Sequence, residues 1–135
     1  MSYKEKLATI QGVFEDLDAF DRLNELIVWS AKLPEGTPEL FQRENLIEGC
    51  QSKVWVTADI KNGLAEIHAY SDTRIIRGIL AILCEVFNGQ PVNDLPPQGG
   101  DLLEQLKLEY LFSETRKNGI RSICEKIWDL FAKAK

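Results

Sequence analysis

The feature that most constrains this chain is the dipeptide Asn62-Gly63, set between two runs of alternating polarity. From Lys53 to Ile60, Val54, Val56, Ala58 and Ile60 fall on one face and Lys53, Trp55, Thr57 and Asp59 on the other. From Leu64 to Tyr70 the apolar set is Ala65, Ile67 and Ala69. A period of two is that of a strand with one buried face, and Asn-Gly is the residue pair that tolerates positive φ at both central positions of a two-residue turn. The chain is therefore expected to fold back as an antiparallel hairpin. Asn45 to Gly49 is expected to add a third strand, giving a meander with one apolar and one wet face.

The flanking segments read as helices. Ser2 to Phe14 places Leu7, Ile10 and Phe14 on one side. Asp18 can cap a second helix reaching about Leu33, with Phe20, Leu23, Ile27 and Ala31 as its apolar stripe and Pro34 as its stop. Glu35 to Glu44 is a connecting loop. Ser71 or Asp72 caps a third helix bearing Ile75, Ile76, Ile79, Leu80, Leu83, Val86 and Phe87, an arc wide enough for the centre of the fold, and Asn88-Gly89 ends it. A proline- and glycine-rich connection follows, from Pro91 to Gly100. Asp101 caps a short helix to about Lys107. Ser113 or Thr115 opens the last helix, with Ile120, Ile123, Cys124, Ile127 and Phe131 at helical spacing. The expected class is α+β, a three-stranded antiparallel sheet with helices on one face, in one domain over residues 1–135.

Charge narrows the possible functions. Sixteen basic residues against 21 acidic ones leave a net charge of −5, which argues against a nucleic-acid partner. No apolar run reaches the roughly 20 residues needed to span a bilayer, since Ile79 to Cys84 is stopped by Glu85. Met1 to Asp18 is charged throughout and lacks the apolar core of a signal peptide. Three cysteines at wide spacing fit neither a disulfide framework nor a metal knuckle, so a reducing cytoplasm with free thiols is expected.

The three cysteines differ in setting. Cys124 lies within an apolar helical stripe and Cys84 at the edge of another, where free cysteine packs as a small hydrophobe. Cys50 instead has turn-forming and polar neighbours, Gly49, Gln51 and Ser52, which present it to a partner. Lys53 is either a cation favouring the thiolate or a solvated strand residue. Trp55, on the polar face, either meets a partner or lies under a helix. His68, the only histidine, has no thiol or carboxylate at ligand spacing and reads as a strand residue.

The segment Gly49-Cys50-Gln51-Ser52-Lys53-Val54-Trp55 resembles the G-C-Q-S-x-V-W signature of the SufE family, which includes CsdE-type proteins. Further matches follow in order: Lys32-Leu33-Pro34, Ser71-Asp72-Thr73, Gly78-Ile79-Leu80-Ala81, and Leu111 to Ile120. The chain departs from the pattern at Phe112, at Glu114 in place of a proline, and over Pro96 to Gly100. The resemblance implies the fold shared with IscU-type scaffolds. It also implies a sulfur acceptor that activates a pyridoxal-phosphate-dependent cysteine desulfurase of the SufS or CsdA type. Cys50 would take persulfide sulfur and relay it to an iron–sulfur cluster assembly scaffold complex. Gly49, Gln51, Ser52, Asp72 and Arg116 would support the loop or contact the partner. In this family the cysteine is shielded at rest. The resemblance implies no cofactor on this chain, pyridoxal phosphate belonging to the desulfurase, and a sulfur-transfer partner rather than a stand-alone enzyme. The alternative is an IscU-like metal or cluster scaffold using several cysteines.

Overall fold

A computed structural model of the chain describes residues 1–47 and 52–135. Two helices, α1 (Tyr3–Glu15) and α2 (Ala19–Ser30), precede a hairpin of β1 (Val54–Lys61) and β2 (Leu64–Ser71). The central helix α3 (Arg74–Phe87), the single turn α4 (Leu102–Gln105) and the long α5 (Glu114–Ala134) follow. The α+β class therefore holds. The hairpin turns where its sequence demands, with Asn62 at φ 55° and Gly63 at φ 78°. Val54, Val56, Ala65, Ile67 and Ala69 are buried beneath α3, which packs on β2, and α5, which packs on β1.

Among the described residues the sheet has two strands, not three. Arg43–Asn45 is a 3-10 turn, held by the Asn45 amide donating to the carbonyls of Glu39 and Leu40, both at 3.1 Å. The chain thus meets β1 late. Leu46 forms an isolated bridge with Trp55, and the Ile47 N–H donates to the Val54 carbonyl at 2.8 Å. The rest of the expected strand lies outside the described residues.

A second correction concerns α2. The stripe Phe20, Leu23, Ile27, Ala31 is largely the outer one, with Phe20 72% exposed, while Leu26 and Trp29 face inward. Helix α2 carries two apolar stripes. The choice between them is made by α3, where Gly78 lacks the Cβ that would collide with the Leu26 carbonyl. That close approach turns the Leu26–Trp29 side to the core. The helix also stops at Ser30 rather than near Leu33: the N–H groups of Ala31, Lys32 and Leu33 donate to the carbonyls of Val28, Trp29 and Ser30, so the α pattern tightens into three-residue steps ahead of Pro34.

Helix α3 has Thr73 as its N-cap residue, without a side-chain cap bond, so neither Ser71 nor Asp72 plays that part. Of its expected apolar residues all but the half-buried Ile75 are fully buried. At its end the Asn88 amide pairs with the backbone of Ile67, accepting from its N–H at 2.6 Å and donating to its carbonyl at 3.1 Å. The next residues continue beside β2, with Gly89 N–H to Ala65 O at 2.9 Å and Ala65 N–H to Gln90 O at 2.8 Å. Helix α4 ends before the expected Lys107, which adopts φ 57°. Its bonds, Leu108 N–H to Leu103 O and Lys107 N–H to Glu104 O, are those of a Schellman motif with lysine in the place glycine usually takes. Ser113 is the cap of α5, accepting from the Arg116 N–H at 3.2 Å.

Candidate functional site

The register of the hairpin builds the site. Val54 stands opposite Ser71, so counting one step further sets Lys53 beside Asp72, and another sets Ser52 beside Thr73. The bonds follow that register. The Lys53 N–H donates to Asp72 Oδ1 at 3.1 Å, and the Asp72 N–H donates to the Lys53 carbonyl at 3.2 Å. The buried Ser71 hydroxyl donates to the same carbonyl at 2.9 Å and accepts from the Thr73 N–H at 3.2 Å. Asp72, expected as a helix cap, thus closes the open end of the hairpin.

Ser52 is the focus. The residue is 6% exposed, and two groups from distant elements converge on its hydroxyl. Arg116, half-buried in the first turn of α5, donates from Nη1 at 2.7 Å. Thr73 Oγ1 lies 2.7 Å away, and 3.1 Å from Asp72 Oδ1. Ser113 caps the first turn of α5 through the Arg116 N–H, and from that turn the guanidinium extends to Ser52. Three of the residues singled out in the sequence, Ser52, Asp72 and Arg116, are thereby brought together. Cys50, Gly49 and Gln51 lie outside the described residues. Thr73 was missed; the signal that finds it is the hairpin register, continued past the last strand pair.

Neighbouring positions resolve differently. Lys53 is exposed. Trp55 is half-buried on the outer face beside its strand partner Tyr70, covered not by a helix but by Phe41, whose ring meets Trp55 edge-on at 4.9 Å and Tyr70 at 5.7 Å. His68 is exposed and contacts Glu66 Oε1 at 2.9 Å. Its pairing with His68, and with Lys61, holds the Glu66 carboxyl below its ordinary range.

The two described cysteines are poor nucleophiles. Burial pushes both the Cys84 and the Cys124 thiol up to about 12. Cys84 is only half-buried as a residue, but its remaining exposure faces a cavity of about 180 Å³ walled by Leu33, Leu40 and Ile67. Its sulfur lies 3.8 Å from the Ile67 carbonyl. Cys124 lines a different cavity, of about 280 Å³, with Ile79 and Leu83. A thiol at about 12 is ionised in roughly one molecule in 10⁵ at neutral pH, too rarely to act by thiolate attack. Among the described residues, no group of three or more histidine, cysteine, aspartate or glutamate side chains is arranged to hold a metal, and no helix is long and apolar enough to cross a membrane.

The molecule is thus an α+β protein whose hairpin register delivers a buried serine hydroxyl to an arginine from its last helix. The chain belongs to the SufE family: the family model, described as an Fe-S metabolism associated domain, matches residues 8–130. It is similar to the sulfur acceptor protein CsdE of Escherichia coli, 30% identical over 122 residues that cover 88% of this chain and 83% of CsdE. An uncharacterized SufE-like protein of Rhizobium etli is 28% identical over 130 residues, 90% of this chain and 88% of that protein. The fold matches the solution structure of a hypothetical protein from Thermus thermophilus with a TM-score of 0.76 at 22% identity, over 96% and 95% of the two chains.

Proposed function

We propose that this chain is a sulfur acceptor in iron–sulfur metabolism, with Cys50 as the transfer thiol. The Cys50 thiolate attacks the terminal sulfur of a persulfide on a cysteine desulfurase of the SufS or CsdA type. A bond forms between Cys50 Sγ and that sulfur, the sulfur–sulfur bond on the donor breaks, and the donor cysteine leaves as a thiolate. There is no net oxidation or reduction. The resulting Cys50 persulfide then passes its sulfur to a cluster assembly scaffold by the same exchange. Pyridoxal phosphate belongs to the desulfurase, and by accepting sulfur this chain frees the desulfurase for another turnover.

The observation that carries the reading is the contrast among the cysteines. Burial removes Cys84 and Cys124 from thiolate chemistry, which leaves Cys50, set in the family's Gly49-Cys50-Gln51-Ser52 segment, for the role that the name of CsdE describes. A scaffold reading has less support, because Cys84 and Cys124 line separate cavities and do not converge.

The test is intact mass after incubating the reduced protein with a cysteine desulfurase and cysteine, beside Cys50→Ser, Cys84→Ser and Cys124→Ser. The expected result is a reducible gain of one sulfur, ~32 Da, lost only in Cys50→Ser. No gain, or an equal gain on all three cysteines, would overturn the reading.

A further inference from the structure

The cavity beside Cys124 stands apart from the core around it. Protein interiors close-pack, and few voids in them exceed a water molecule. Here about 280 Å³ stays open between α3, α4 and α5, walled by Ile79, Leu83, Leu102, Ile120 and Cys124, all of them buried. The chain just before α4 closes one side. Gln98, Gly99, Gly100 and Asp101 follow one another at φ 52°, 77°, 66° and 54°. Two of these residues carry a Cβ, which the left-handed conformation crowds. Backbone strain of this kind is concentrated where a chain clamps a ligand. The turn carries its buried tip, Gly99, toward Phe87 and Trp128, whose rings would lie 3.6 Å from a Cβ there. Gln98 and Gly100, on either side of the tip, line the cavity and do not fill it.

Size and charge define what fits. An apolar cavity of roughly 150 Å³ takes a benzene ring, so about 280 Å³ suits one ring with a short arm. Asp101, Arg121 and Glu125 also line the cavity but are exposed, and so stand at its mouth. Arg121 is drawn back along α5, donating from Nη1 to Asn118 Oδ1 at 3.0 Å. The two carboxylates face inward: after burial itself, the charges of Asp101 and Glu125 help to push the Cys124 thiol up. The mouth therefore favours a cation and disfavours an anion. We propose that this cavity is a binding site for a small aromatic amine, with its ring between Ile79, Leu83, Ile120 and Cys124 and its ammonium group at Asp101 and Glu125. The site lies outside the sulfur-acceptor reading and uses no residue to which transfer is assigned.

The experiment is a titration of phenethylamine into the reduced full-length protein, followed by the NMR signals of isoleucine and leucine methyl groups. Saturable shifts are expected at Ile79, Leu83, Leu102 and Ile120, with a Kd of about 1 mM or below. None is expected at Leu33 and Leu40, which wall the cavity beside Cys84. Phenylacetate has the same ring and the opposite charge, and should bind about fivefold more weakly, as attraction at an open mouth gives way to repulsion. Asp101→Asn keeps a side chain able to cap α4, and Glu125→Gln keeps the shape of its residue. Together they should bring the two probes within about twofold of each other. Cys124→Leu occupies part of the cavity and should weaken phenethylamine binding at least tenfold; the charge variants decide the matter if it does not fold. No saturable shift at about 10 mM amine, or shifts centred on Leu33 and Leu40, would overturn the proposal. So would phenylacetate binding as tightly as the amine, a preference unchanged in the double variant, or full binding by folded Cys124→Leu.

Discussion

Lys107 shows what a single residue can cost and why the cost is accepted. It sits at φ 57° at the end of α4, a conformation in which a Cβ crowds the following carbonyl. Its side chain is exposed, while its backbone carbonyl accepts from Arg22 Nη1 at 2.9 Å. Arg22 also donates to the carbonyls of Leu17 and Glu15, so one guanidinium ties the α1–α2 junction to the α4 turn through backbone oxygens alone. What this position needs is the conformation, not the lysine. Lys107→Gly is expected to stabilise the protein by about 0.5–1 kcal/mol, read as a higher urea midpoint with unchanged slope. Asp101 and Gln98 share the left-handed conformation, but Asp101 also accepts from the Glu104 N–H as the α4 cap and is a worse site for the same exchange.

At the scale of elements, the instructive case is α2. Its two apolar stripes differ little in hydrophobicity, so periodicity alone pointed to Phe20, Leu23, Ile27 and Ala31. The deciding information sits about fifty residues away, in the glycine of α3 that admits the Leu26 backbone. The consequence is measurable. Leu26→Ala is expected to cost about 2–5 kcal/mol, as for other fully buried leucines, whereas Phe20→Ser should change stability by less than about 0.5 kcal/mol. Chemical denaturation of the two variants checks this, and equal losses would contradict the packing described. The hairpin is the opposite case. Asn62-Gly63 and two alternating runs carried its turn, its register and its buried face, because all three are set within about twenty residues of chain. The same register contained most of the site. Lys53 beside Asp72 and Ser52 beside Thr73 follow from counting, while Arg116 came only from the family pattern, since nothing local says where a side chain of α5 will land. A third strand is expected from the sequence because Asn45, whose amide holds the 3-10 turn, looks there like the first residue of an extended run.

For the whole molecule the two buried thiols set a pH limit. An exposed thiol ionises near 9.0, whereas Cys84 and Cys124 in the fold ionise only near 12. Between those values the unfolded chain gives up protons that the folded chain keeps. Stability is therefore unaffected by these groups below pH 9 and falls above it, by about 1.4 kcal/mol per pH unit for each thiol. Urea unfolding at about pH 8 and about pH 10 should show this loss, and Cys84→Ala and Cys124→Ala should each remove one thiol's share of the slope. The Asn88 amide has a consequence on the same scale. A small open sheet is a template on which another molecule can add a strand, and such growth is how soluble proteins become fibrous. By offering Ile67 a donor and an acceptor in strand-like positions, and by leading Gly89 and Gln90 alongside Ala65, Asn88 makes the protein its own terminator on that side. Asn88→Ala should therefore be recognised less by its unfolding temperature than by its behaviour in concentrated solution, where light scattering would rise with time while the parent protein stays clear.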